Sequence, residues 1–316
     1  MEMERDFHMA IGEAEENYAN NSRLQRKALL KTKPVLDKAV RQVCTVLLPP
    51  TMVVADLGCS VGANTLLFVS DVISTIADIQ CHNELGCHPM ELQFFLNDLP
   101  GNDFNQIIKD MDKKMTNLNG GNIYIAKSTP PSVVKMYQDQ FQKDMSLFLK
   151  LRYQELVPGG QMLLTFLGRK KEDVLDGDLS HLCALLAEAL QSLVTEGLVE
   201  KGQLESFNLP LYGPSIGEVK AVVASIGLFG IDHIELFESN WDPYDDLEDD
   251  GLHSSPQRGV NVAKSIRAVF EPLLASHLGE YILDELFQRY AQNVERHLVE
   301  VITKYSVIVL LLNRRG

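Results

Sequence analysis

The stretch VVADLGCSVGANTLLF, residues 53–68, decides the fold. Apolar residues run into Asp56, a turn carrying Gly58 and Gly62 follows, and Asn64-Thr65 opens a second apolar run. The pattern reads as a buried strand at 52–57, a turn, and a helix at about 63–79. LQFFLND, residues 92–98, supplies a second strand. Strand, helix, strand is one βαβ unit, so the sheet is expected to be parallel and doubly wound, in the α/β class.

Outward from that unit, residues 22–48 read as helical, with Ser22 available as a cap and Pro34 expected to kink or divide the segment. Residues 131–156 form a long helical pattern, and VPGGQMLLTFLGR turns into a strand at 161–167. Helices follow at 180–197 and 203–207, with a short one in SIGEVKAVVASIGLF. IDHIELFESNW is a strand, 259–275 and 279–301 are helical, and KYSVIVLLLNRR closes the chain as a strand.

Composition narrows the partners. The chain has 316 residues, 45% hydrophobic and 23% charged, which suits a globular protein with a sizeable core. A net charge of −14 argues against nucleic acid and anionic membrane, since both call for a basic face. The longest apolar run, SVIVLLL at 306–312, is too short to span a bilayer. The acidic start MEMERDFHMAIGEAEE has no apolar core of a secretory signal, and the five cysteines read as reduced thiols, so a cytoplasmic location is expected. Cys81, His82, Cys87 and His88 in CHNELGCH do not match zinc spacing and read as a polar loop, so no metal is expected. DPYDDLEDDG, 242–251, puts Leu247 where a calcium loop needs an oxygen ligand and reads as a solvated surface loop.

In an open α/β sheet the ligand sits beyond the carboxyl ends of the strands, where Asp56–Asn64 lies. A dinucleotide favours G-x-G-x-x-G and an acid about 20 residues later. Here the turn is D-L-G-C-S-V-G, and the next strand-end acid, Asp98, lies about 40 residues on. That favours S-adenosylmethionine over a nicotinamide dinucleotide: it has no phosphate to cradle, and its ribose hydroxyls suit Asp98. A glycine turn after a strand is weak evidence alone.

Longer motifs add to it, in order: NYANNSRLQ, KTKPVLDKAV, DLGCSVGANT, QFFLNDLPGNDFN, FQKDMSLFLKLRYQELVPGGQMLLTFLGR, EGLVEKGQLESFNLPLYGPSIGEV and RAVFEPLLASHLGE. Over nearly the whole chain they closely resemble the plant SABATH carboxyl methyltransferases of salicylate, benzoate, anthranilate and related acids. The resemblance implies a Rossmann-like methyltransferase sheet with a mostly helical cap, and a homodimer. The divisions would be 1–170 for the cofactor-binding core, 171–260 for a helical cap with a return strand, and 261–316 for helices and a strand completing core and pocket.

It also implies residue roles. Tyr18, Ser22, Asp56, Gly58, Asn64, Asp98 and Leu99 would hold S-adenosylmethionine, with Ser22 and Asn64 at its amino-acid end and Asp98 at its ribose. Gln25 would hydrogen-bond the substrate carboxylate and orient it, the one catalytic assignment. Leu182, Cys183, Tyr212, Ile266 and Tyr305 would line the acid pocket. Read without the family, Tyr212 and Tyr305 are equally core-edge aromatics, Leu182 and Ile266 ordinary core, and Asp56 a structural turn acid. The chemistry asks little more of the protein. A carboxylic acid with a pKa of roughly 4 is already ionised at neutral pH, so no general base is expected.

Some positions depart from the family. Cys183 stands where several members carry a bulky aromatic, and Ala10 where some salicylate enzymes carry lysine. The large departure is a missing stretch near 115–122. The family continues there with a Gly-Ser-Phe-Tyr segment against the adenine and a Ser-Leu-His-Trp-Leu-Ser stretch whose Trp contacts the carboxylate. Here TNLNGG passes directly to NIYIAKSTPP. Two functions therefore compete: an active carboxyl methyltransferase of small aromatic acids, and a degenerate, catalytically inactive member.

Overall fold

The computed structural model describes residues 18–59, 63–81, 90–98, 119, 122–175, 177–245, 257–301 and 303–316. The elements are α1 (Tyr18–Asn21), α2 (Arg23–Gln42), β1 (Thr51–Leu57), α3 (Ala63–Cys81), β2 (Glu91–Asn97), α4 (Pro131–Glu155) and β3 (Gln161–Leu167). After them come α5 (Asp178–Thr195), α6 (Lys201–Ser206), α7 (Ile216–Ile226), β4 (Phe229–Asn240), α8 (Arg258–Leu278), α9 (Leu283–Glu300) and β5 (Lys304–Arg314).

The βαβ unit is present. β1 and β2 pair in parallel, with Asp56 opposite Leu96 and Leu57 opposite Asn97. Along β1 the side chains alternate, so Met52 and Val54 face α3 while Val53 and Leu57 stay exposed. Phe95 of β2 is exposed as well.

The parallel pairing expected of the sheet holds between β1 and β2 but does not extend to the other strands. A second sheet has the order β3-β5-β4, and β5 runs antiparallel to both neighbours. An unbroken apolar run reports burial on both faces, and Tyr305–Leu312 are all buried, but it says nothing of direction. Among the described residues no strand joins β1 to β3.

Helix α2 bridges the two sheets. Val40 packs with Cys44 into the core of Met52, Val72, Ile76 and Ile79. Val35 and Ala39 pack on Val309 and Leu311 of β5. Lys33 Nζ lies 2.8 Å from Asp71 Oδ1, and Thr75 donates to Asp37 at 2.7 Å, tying α2 to α3. Pro34 lies inside α2 without dividing it. Packing against both sheets outweighs the one backbone hydrogen bond that proline removes.

The mostly helical part gathers α5, α8 and α9 around one apolar cluster. Leu182, Leu186, Leu190 and Leu193 of α5 meet Leu286, Phe287, Tyr290 and Val294 of α9. α7 starts on a capping box in which Ser215 and Glu218 exchange hydrogen bonds, and it stops at Gly227, whose φ is +71°. The loop expected to be solvated at 242–251 is buried at its start. Asp242 is buried and accepts from the Tyr244 N–H and from Asn261. Residues 246–251 lie outside the described residues.

Candidate functional site

Two groups of residues converge, and α2 leads from one to the other. The first lies at the carboxyl ends of β1 and β2. Asn64 opens α3 and sends its Nδ2–H to the Ser22 carbonyl and to Ser22 Oγ, both at 3.1 Å. Ser22 thus precedes α2 without capping it by its side chain. Its buried hydroxyl is turned to Asn64 instead.

Asp56 accepts a hydrogen bond from Thr65 at 3.2 Å. Burial pushes the Asp56 carboxyl above its usual range and the Asp98 carboxylate adds to this, against the Thr65 hydroxyl. Tyr18 is pushed up to about 12, by burial first and by Asp98 second. Asp98 therefore acts electrostatically on both Tyr18 and Asp56, which places the three together. Gly58 has φ of +86°, and its N–H bonds the Asn97 carbonyl at 2.8 Å, locking the turn to β2. A Cβ on Gly58 would meet nothing within 4 Å, so the turn leaves room for a bound group. Leu99 and Gly62 lie outside the described residues.

These residues fit S-adenosylmethionine. Polar amide and hydroxyl groups meet the N-terminus of a long helix, which favours a carboxylate. Asp98 is exposed and, as a carboxylate, accepts hydrogen bonds only, which suits ribose hydroxyls. Bound there, the cofactor supplies an electrophilic sulfonium methyl.

The second group is the helical cluster. Leu182, Cys183, Ile266 and Tyr305 lie in one buried core, with Leu24 beside it. Gln25 sits on α2 one residue after Leu24, and its Oε1 is buried without a hydrogen-bond partner. Burial pushes the Cys183 thiol up to about 12 and raises Tyr305 well above its ordinary value. Both stay protonated at neutral pH.

Tyr212 stands apart from that core. Its hydroxyl donates to Glu218 at 2.6 Å and accepts from Arg169 at 3.2 Å, and its ring packs on Phe141. Arg169, buried, also lies 2.8 Å from Glu218 and donates to the Gly213 carbonyl. Burial opposes the Glu218 charge, but hydrogen bonds from Arg169, Tyr212 and the Ser215 N–H hold its carboxyl below the usual range. Sequence reasoning missed Arg169, which fixes the segment after β3 to the start of α7. It also missed Thr65. Thr65 was open to view, adjoining Asn64 in the opening motif.

The family profile described as SAM dependent carboxyl methyltransferase matches residues 4–117 and 109–315. This chain belongs to the SAM-dependent carboxyl methyltransferase family. It is an S-adenosylmethionine-dependent carboxyl methyltransferase by that membership. It is 49% identical to anthranilate O-methyltransferase 1 of Zea mays over 376 aligned residues, covering 99% of this chain and 98% of that protein. An inactive anthranilate O-methyltransferase 1 of Zea mays matches with the same identity and coverage. The solved loganic acid methyltransferase with SAH is 26% identical, with a TM-score of 0.80, over 98% of this chain and 99% of that one.

The 376 aligned residues exceed the 316 of this methyltransferase, so at least 60 positions of the alignment have no residue here. The family match also comes in two pieces that meet at 109–117. Among the described residues no helix is long and apolar enough to cross a membrane, and no group of three or more His, Cys, Asp or Glu is placed to hold a metal. His82, Cys87 and His88 lie outside the described residues.

Proposed function

We propose that this methyltransferase esterifies the carboxylate of a small aromatic acid of the benzoate, salicylate or anthranilate type. The observation that carries the reading is the pairing of Ser22 with Asn64 at the end of β1, three residues before Gln25. The residue that opens α2 thereby faces the cofactor seat, and Gln25 in the first turn of α2 faces the acid. In this reading Tyr18, Ser22, Asp56, Gly58, Asn64, Asp98 and Leu99 hold the cofactor. Gln25 orients the carboxylate, and Leu182, Cys183, Ile266 and Tyr305 enclose the ring, with Tyr212 held at the pocket edge by Arg169 and Glu218. Rate comes from alignment and from excluding water around two opposite charges that neutralise as they react.

The same proposal takes the chain as a cytoplasmic homodimer acting on a free acid, without nucleic acid or membrane. It keeps the division at 1–170, 171–260 and 261–316. The high identity to the maize anthranilate enzyme supports the acid class. A second reading, an inactive member, has one specific observation in its favour: at least 60 aligned positions have no residue here, and among the described residues no strand joins β1 to β3. Transfer of labelled methyl from S-adenosylmethionine to benzoate, salicylate or anthranilate by the purified chain tests the two. Ester formation supports the first. Cofactor binding without any ester supports the second.

A further inference from the structure

We propose that Tyr290 and Trp241, together with Tyr305, form a polar end of the acid pocket and read an oxygen substituent on the ring, remote from the reacting carboxylate. The proposal rests on the reading of the chain as a carboxyl methyltransferase of aromatic acids and narrows which acid it takes.

Three buried hydrogen-bonding groups in this region lack a partner: the Tyr290 hydroxyl, the Tyr305 hydroxyl and the Trp241 indole N–H. Their residues are 0%, 4% and 1% exposed. They come from three elements, α9, β5 and the residue after β4, and share one apolar cluster with Leu182, Cys183 and Ile266. The Trp241 and Tyr305 rings lie 6.2 Å apart, and the Tyr290 ring packs edge-on to Phe287 in the same cluster. Buried phenols and indoles ordinarily find a partner, so three orphans in one cluster mark a place built to meet a polar group.

His297 does not satisfy the indole. It stacks on Trp241 at 5.3 Å, and its Nε2 is engaged with Thr303 Oγ1 at 2.8 Å. The donor inventory selects the ligand. An indole N–H only donates, while a phenol both donates and accepts. A ring hydroxyl meets both needs. An amino group, chiefly a donor, meets Trp241 poorly, and a bare C–H leaves all three unpaired. The reacting carboxylate belongs instead with Gln25 and the cofactor seat at the ends of β1 and β2.

The test is calorimetric binding with S-adenosylhomocysteine present. The acids are benzoate, the three hydroxybenzoates and 2-aminobenzoate. The proteins are the wild type, Tyr290→Phe and Trp241→Phe, each checked by thermal melting. One hydroxybenzoate isomer is expected to bind at least ~10-fold tighter than benzoate or 2-aminobenzoate, because a site built to hydrogen-bond a hydroxyl rejects analogues lacking it. In Tyr290→Phe that preference falls to about 2–3-fold, the hydroxybenzoate losing more affinity than benzoate does. Equal affinities in the wild type would overturn the proposal, the donors then holding only an ordered water. Equal weakening of benzoate and the hydroxybenzoate in Tyr290→Phe would overturn it too, placing Tyr290 at the carboxylate or in the fold. Failure of the wild type to bind any acid while binding S-adenosylhomocysteine would sink the functional reading itself.

Discussion

Replacing Asn64 by Ala tests the seat on which the functional reading depends. One amide nitrogen serves two acceptors on Ser22, each at 3.1 Å in a partly buried setting. The Ser22 carbonyl keeps the Arg26 N–H at 3.0 Å, so it is not orphaned. The Ser22 hydroxyl, in a residue 8% exposed, loses its donor. A neutral hydrogen bond nets about 0.5–1.5 kcal/mol, and a forked donor is worth less than two separate bonds. Asn64→Ala should therefore lower folding stability by about 1–2 kcal/mol. If Asn64 also faces the cofactor, affinity for S-adenosylhomocysteine falls by ~10-fold or more, since about 1.4 kcal/mol is a factor of ten. Urea unfolding measures the first and titration calorimetry the second. Ser22→Ala and the double variant complete a cycle, whose coupling should reach about 0.5 kcal/mol or more. Unchanged cofactor affinity in a variant of reduced stability would refute the seat. An unchanged stability and zero coupling would refute the α2–α3 tie.

Three further perturbations probe other parts of the argument. Gly58→Ala forces a side chain to φ of +86° and should cost about 1–2 kcal/mol by strain alone; cofactor affinity should fall further than melting temperature, because the Cβ enters the space left open beside the turn. Asp56→Asn keeps an acceptor for Thr65 but removes a carboxylate whose folded-state pKa is raised, by burial first and then by Asp98. A raised carboxyl contributes stability below its unfolded pKa of about 4 and loses it as pH rises, so the variant should melt higher than wild type at pH 7, converge with it below pH 4, and bind cofactor more weakly. Gly259→Ala places a Cβ 2.2 Å from the Ala291 carbonyl and 2.9 Å from Glu295 backbone, between α8 and α9. Neither helix backbone yields easily, so unfolding experiments should show a loss of about 2–3 kcal/mol, and an unaltered midpoint would contradict the close helix contact.

Local patterns carried much of the fold. The strand at 161–167 and the apolar closing strand were legible because burial on a strand is written in period two or in an unbroken apolar run. The helix after Ser215 was legible from its spacing, and Glu218 at the third position completes its capping box. The turn at Asp56, Gly58 and Asn64 was legible as a strand-to-helix turn, which in an open α/β sheet lies where ligands bind.

Other features depended on where distant segments meet. Direction was one: the residues of β5 prescribe a fully buried strand, but only its insertion between β3 and β4 makes it antiparallel to both. Pro34 was another, since local chemistry breaks a helix there and packing on two sheets holds it together. Tyr212 was placed in the acid pocket by resemblance, yet Arg169 and Glu218, 43 residues back and 6 ahead, take its hydroxyl. Sequence by itself determined the α/β class, the strand-turn-helix at 51–81 and the family, because these rest on contacts within a few residues and on ordered motifs. Tertiary structure alone decided the antiparallel insertion of β5 between β3 and β4, the α2 bridge, and the unpaired donors of Tyr290, Tyr305 and Trp241, because burial and hydrogen-bond satisfaction belong to residues brought together from α9, β5 and the end of β4.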